Sequence, residues 1–138
     1  MRVLVDTPIW SLALRRTPKD LSPAQAGLKT SLAELTTEDR VEILGAVRQE
    51  LLSGIREEAQ FENVRKHLRD FDDVDLIAED YEEAARVANR CRASGVAGSA
   101  VDFLICAVAL RRGWEIFTTD HDFERYAKYA GIALFQSE

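Results

Sequence analysis

The sequence predicts an α/β fold: a three-layer α/β/α sandwich around a mostly parallel, four- to five-stranded sheet. Three observations carry this expectation. Short apolar runs alternate with segments of helical periodicity along the whole chain. Capping residues, prolines and glycines fall where such units begin and end. The 138 residues, 46% hydrophobic and 30% charged, suffice for one buried core and fit a single domain over 1–138.

The elements follow in order. Val3-Leu4-Val5 is a short apolar run, as a strand buried on both faces requires. Thr7 fits an N-cap and Pro8 the first position of a helix over about 8–14. A polar break over 15–20 precedes Ser22 and Pro23, which cap and open a helix reaching about Leu35. Residues 41–44 read as a second strand, and 46–53 as a helix with Gly54 at its stop. A charged helix covers about 57–70, and Val74-Asp75-Leu76 gives a weak third strand. The longest helical signal runs over 79–93, with Tyr81, Ala84, Ala85, Val87 and Ala88 at apolar positions. After a loop at 94–98, an apolar helix spans 99–112 and stops at Gly113. Residues 115–118 form a fourth strand, 122–130 a short helix and 132–135 a last strand.

Composition excludes several function classes. Eighteen basic against 24 acidic residues give a net charge of −6, unlike a general nucleic-acid coat protein. An enzyme that gathers carboxylates around a metal remains compatible with that balance. No apolar run approaches the ~20 residues that span a bilayer, and the N-terminal apolar run is too short for a signal core. Cys91 and Cys106 lack metal or redox spacing and read as reduced, buried thiols of a cytoplasmic protein. His67 and His121 lack zinc-site spacing, and no phosphate-cradling or serine-nucleophile motif is present.

Four acids occupy places where acids are unusual. Asp102 lies in the apolar helix, where an ionised carboxylate is costly unless paired or metal-bound. Ser99-x-x-Asp102 also matches a capping box, so both readings stand. Asp6 follows the first strand and Asp120 the fourth, where local turn or cap roles compete with a ligand role. In parallel sheets both positions face the ligand-binding edge, beyond the strands' carboxyl ends. Glu50 falls within a stripe marked by Val47, Leu51, Gly54 and Ile55. Carboxylates that converge without a basic partner repel one another, and a hard divalent cation such as Mg²⁺ or Mn²⁺ resolves that repulsion.

These residues resemble the motifs of PIN-domain nucleases. Val3-Leu4-Val5-Asp6-Thr7-Pro8-Ile9-Trp10 is similar to their opening strand ending in Asp-Thr, with Pro8 in place of a small polar residue. Glu50-Leu51-Leu52-Ser53-Gly54 resembles their Glu-Leu-x-x-Gly helix, and Asp102-Phe103-Leu104-Ile105-Cys106-Ala107 their Asp followed by Leu-Ile-x-Ala. Thr118-Thr119-Asp120-His121-Asp122-Phe123 is similar to their Thr-x-Asp-x-Asp-Phe segment. Order, spacing and length resemble VapC-type toxins of toxin–antitoxin pairs.

The resemblance implies a PIN-like fold and a Mg²⁺- or Mn²⁺-dependent endoribonuclease. In such an enzyme a metal-activated water leaves a 5′-phosphate and a 3′-hydroxyl. Asp6, Glu50, Asp102 and Asp120 match the catalytic acids. Of these, Asp6, Asp102 and Asp120 are implied metal ligands, and Glu50 an outer ligand or proton acceptor. Asp122 and Thr118 match accessory positions; Glu42, inside a predicted strand, is the less suitable second acid. A VapB-type antitoxin, an RNA substrate and a homodimer are the implied partners, with no membrane. The helices over 8–14 and 23–35 are possible docking faces, although Ile9, Leu12 and Leu14 are by default core. Arg15, Arg16 and Lys19 are candidate RNA contacts, and Arg111 with Arg112 either phosphate contacts or partners of a helix C-terminus. A dehalogenase-type phosphatase would place a second Asp at position 8, where Pro8 stands, and no lysine is placed as a receiver domain needs. The non-enzymatic alternative is a catalytically silent PIN-like RNA- or protein-binding module.

Overall fold

The computed structural model describes residues 1–137. Strands β1 (Val3–Val5), β2 (Val41–Glu42), β3 (Glu115–Phe117) and β4 (Ala133–Leu134) form one parallel sheet in the order β2-β1-β3-β4. Strand β1 is central and wholly buried, which explains its unbroken Val-Leu-Val run. The chain first adds β2 to one side of β1 and later returns to add β3 on the other. The carboxyl ends of β1 and β3 therefore flank the point where strand order reverses, the usual ligand edge of such sheets.

Helices α1 (Thr7–Leu14), α2 (Pro23–Thr37), α3 (Gly45–Ser53), α4 (Glu58–Leu68), α5 (Ala78–Ala93), α6 (Ala100–Arg112) and α7 (Asp122–Ala130) flank this sheet. They pack in groups: α1 against α2 and α3, and α5 against α6 and α7. A full capping box opens α2, with reciprocal bonds between Ser22 and Gln25 of 3.1 and 2.9 Å. Helix α6 buries seven consecutive residues from Phe103 to Ala109, as its all-round apolar sequence predicts. It ends at Gly113, whose φ of 71° is a left-handed conformation that glycine adopts without a Cβ penalty. Among the described residues no helix is long and apolar enough to cross a membrane.

Three local expectations are corrected. The N-cap of α1 is Asp6, not Thr7; its carboxylate accepts the Thr7 amide, and Thr7 itself is helical. Strand β2 ends at Glu42 because Leu44 turns to become the N-cap of α3, its carbonyl accepting from Val47 and Arg48. The expected third strand at Val74–Leu76 does not form. Only a single bridge joins Ile43 to Asp73, continued by the Val74 amide on the Ile43 carbonyl at 2.9 Å. The Arg112 guanidinium, rather than a neighbouring strand, takes the Asp75 carbonyl.

Candidate metal centre

The first acid is placed by the sheet itself. The Asp6 amide extends the β1–β3 ladder to the Phe117 carbonyl at 2.9 Å, and its side chain is only 5% exposed. Both carboxylate oxygens accept hydrogen bonds: Oδ1 from the Thr7 amide and Oδ2 from the Thr118 hydroxyl, each at 2.8 Å. Burial pushes the Asp6 carboxyl up from 3.8 to about 6; the two hydrogen bonds oppose this, and the charges of Asp102 and Glu50 add to it.

Thr118 links the two strand ends. Its hydroxyl donates to Asp6 and accepts from the Asp120 amide at 3.0 Å. Asp120 in turn accepts the Asp122 amide at 2.9 Å, an Asx turn that leads into α7. The expected cap role of Asp120 is corrected: the N-cap of α7 is His121, and Asp120 makes this Asx turn instead, at the sheet edge. Asp102 sits in the first turn of α6, its amide bonded to the Ser99 hydroxyl at 3.0 Å. Its carboxyl is raised mainly by burial, and the charge of Asp120 contributes to the rise.

Oxygens of Asp102, Asp120 and Asp122 lie within 4.8 Å of one another. This donor set is all carboxylate, with no sulfur or imidazole, and fits a hard divalent cation. Asp6 stands beside the trio, tied to it through Thr118 and through the repulsion of Asp102. Asp122 is the member with a basic neighbour, since Arg125 donates to its Oδ1.

Glu50 departs from the expected stripe. Val47 and Leu51 are buried, while Glu50 is exposed on α3. At 3.6 residues per turn it stands at the margin of that stripe, not within it. Its charge still reaches Asp6. Glu42 is engaged elsewhere, in a 3.0 Å ion pair with Arg2.

The basic candidates separate clearly. Arg15 donates to the Gly54 carbonyl at 3.2 Å and so ties α1 to the end of α3. Arg16 is exposed and lines a cleft of about 220 Å³ with Pro8, Ser11, Leu12, Gln25 and Thr119. Lys19 is exposed nearby in sequence, on a short 3-10 turn at Pro18–Asp20. Arg111 and Arg112 are engaged within the fold. Both donate to Asp80 Oδ1, at 2.6 and 2.7 Å, and Asp80 is fully buried.

Asp80 and Tyr126 are the important residues the sequence reading passed over. The paired arginines at the end of α6 are the signal that could have matched Asp80. Tyr126 is wholly buried and donates its hydroxyl to Asp102 Oδ2 at 2.8 Å. Nothing local in the sequence announces the hydroxyl's partner. Cys91 and Cys106 are free and buried, both histidines are exposed, and of the three apolar residues of α1 Ile9 and Leu12 are buried while Leu14 is half-buried against the core.

A parallel α/β domain with carboxylates gathered at its strand-order reversal is a distinct class of protein. The family model of the PIN domain matches residues 3–129, and this chain belongs to the PIN-domain family. No curated protein sequence matches it. Among solved structures it is similar to VapBC2 from Rickettsia felis bound to a DNA fragment from its promoter, at 17% identity and a TM-score of 0.78, covering 100% of both chains. It is also similar to FitAcB from Neisseria gonorrhoeae, at 20% identity and a TM-score of 0.76, covering 98% of this chain and 97% of that one. VapBC-5 from Mycobacterium tuberculosis, a member of a toxin–antitoxin family, aligns at 19% identity and a TM-score of 0.68 over 99% of each chain. At these identities the likeness is one of fold.

Proposed function

We propose that this chain is a Mg²⁺- or Mn²⁺-dependent endoribonuclease and the toxin of a VapBC-type toxin–antitoxin pair. The observation that carries the reading is the convergence of Asp102, Asp120 and Asp122 within 4.8 Å beside buried Asp6, at the ligand edge of a PIN fold. A divalent cation held there supplies Lewis acidity toward a scissile phosphodiester and its attacking water. Asp6, Asp102 and Asp120 hold it, and Asp122 is accessory. Thr118 fixes Asp6 and Asp120 relative to each other through one hydroxyl. Glu50, exposed yet close enough to be felt by Asp6, is placed to accept a proton at the rim.

RNA has to approach a chain of net charge −6. Arg16, beside Thr119 in the cleft, and Lys19 provide phosphate contacts there, with Arg15 behind them. The solved toxin–antitoxin structures that share this fold support a VapB-type antitoxin partner, and a homodimer is proposed beside it from the motif resemblance alone.

Cleavage of structured RNA by the purified chain, in Mn²⁺, in Mg²⁺ and in EDTA, tests the reading. The expected result is discrete fragments with 5′-phosphate ends that vanish in EDTA and with Asp102→Asn or Asp120→Asn. A protein that binds Mn²⁺ but cuts no RNA from a total cellular pool overturns the nuclease in favour of a silent binding module.

A further inference from the structure

Tyr126 has a role that its burial alone does not require. It projects from α7, four residues beyond Asp122, into the space beneath the first turn of α6. Its ring is held on two sides, edge-on against Phe123 at 5.0 Å and tilted against Phe103 at 5.4 Å. A third restraint is Gly98: a Cβ there would lie 2.4 Å from the Tyr126 hydroxyl and 2.7 Å from Phe103. Only a residue without a side chain lets the hydroxyl occupy this seat. From it, the hydroxyl donates to Asp102 Oδ2 at 2.8 Å.

We infer that Tyr126 is a positioning residue for Asp102: a buried phenol, seated by Gly98, that fixes the orientation in which that carboxylate meets a divalent cation. The inference rests on the metal-centre reading above. The carboxylate sits on a two-bond side chain whose χ2 is soft; Ser99 hydrogen bonding acts on it from the helix start, and Tyr126 acts more strongly from the other element. Here one oxygen is occupied by a donor that cannot move, so the group is held as one member of the Asp102–Asp120–Asp122 trio. Hydrogen bonds from outside the ligand shell orient ligands in this way, and their removal costs 10–100-fold in metal affinity or activity in proteins generally. The arrangement also spans two elements. Helix α7 carries both Asp122 and Tyr126, so the same helix supplies an acid to the trio and the clamp on its neighbour.

Mn²⁺ titration of the purified full chain by calorimetry tests this, with the melting midpoint of each metal-free variant measured beside it. Wild type, Asp102→Asn, Tyr126→Phe and Gly98→Ala are compared. Tyr126→Phe keeps the ring and is expected to fold, while its Mn²⁺ dissociation constant rises about tenfold or more. Gly98→Ala, which pushes an intact tyrosine off its seat, weakens Mn²⁺ binding in the same direction and decides the matter if Tyr126→Phe does not fold. In an Asp102→Asn background, Tyr126→Phe has no further effect on Mn²⁺ affinity. A folded Tyr126→Phe that binds Mn²⁺ like wild type, while Asp102→Asn does not, overturns this inference alone and leaves the metal centre standing. Wild type that binds no Mn²⁺ overturns the metal-centre reading and this inference together.

Discussion

Helix α6 carries a carboxylate environment at each end, and the two are opposites. At its C-terminal end Asp80 is buried between Arg111 and Arg112, with the Ile77 amide as a further donor at 3.0 Å. At its first turn Asp102 faces other acids, with a tyrosine hydroxyl as its side-chain donor. About 15 Å of helix separates them, at 1.5 Å per residue. Hydrogen bonding from Arg112 holds the Asp80 carboxyl well below the usual carboxylate range, whereas burial raises Asp102 and Asp6. The chain thus gives buried Asp80 two guanidinium groups, whereas at the sheet edge Arg125 is bonded to Asp122 and leaves Asp102 and Asp6 to hydroxyl and amide donors. A charge balanced within the fold is structural; a charge left for an outside cation to balance marks the site.

The sharpest way to break the comparison is to remove the paired acid. Asp80→Ala leaves two arginines facing an empty, partly enclosed site, and is expected to destabilise by about 3 kcal/mol, read by urea denaturation. That figure sits at the low end of the range because both arginines retain some exposure. The equivalent change at the other end goes the other way: Asp102→Asn in metal-free protein is expected to be neutral or mildly stabilising, since it relieves repulsion.

Metal sharpens the contrast. Mn²⁺ at a hundred times its dissociation constant stabilises the wild type by about 2.7 kcal/mol, seen as a higher melting midpoint. The same addition raises the midpoint of Asp102→Asn less or not at all. Asp80→Asn, however weakened, keeps the full Mn²⁺ increment, because its acid never belonged to the site.

The last expected effect is in pH dependence, and it has opposite signs at the two ends. Asp80 has a lowered value in the folded state, so its contribution is present above its ordinary 3.8 and is lost as pH falls below that. Asp6 is raised to about 6, so in metal-free protein its contribution is full below 3.8 and is lost as pH climbs to about 6. Denaturation curves of Asp80→Asn and Asp6→Asn from about pH 1.5 to 7 should each remove one limb. Identical profiles for the two variants would dissolve the distinction.

Much of the fold was legible because its signals are local. Val3-Leu4-Val5, the Ser22–Gln25 capping box and the unbroken apolar face of α6 each announce themselves within a few residues. The third strand failed because Val74 and Leu76 are apolar for another reason: they pack against the core while Arg112 takes the backbone carbonyl between them. The site was half legible. Asp6, Asp102 and Asp120 stood out as acids in apolar or strand-end positions. Glu50 was misplaced on its helix because α3 is only nine residues long, too short to fix a phase. Asp80 and Tyr126 were invisible because their partners lie 31 or 32 and 24 residues away, and no periodicity reports such a pairing.

One consequence concerns the carboxyl of Asp6, whose two oxygens are both already accepting. Oδ1 fastens the start of α1 through the Thr7 amide, and Oδ2 fastens the loop after β3 through Thr118. Each oxygen keeps only one further lone pair, and a proton must land beside a bond already made. Arriving at Oδ1 it weakens the anchor of a helix; arriving at Oδ2 it weakens the knot between two strand ends. The fold nonetheless holds that proton more tightly than the unfolded chain does, so it is the loss of the proton as pH rises, not its arrival, that loads the seam where α1 and the β3 loop meet.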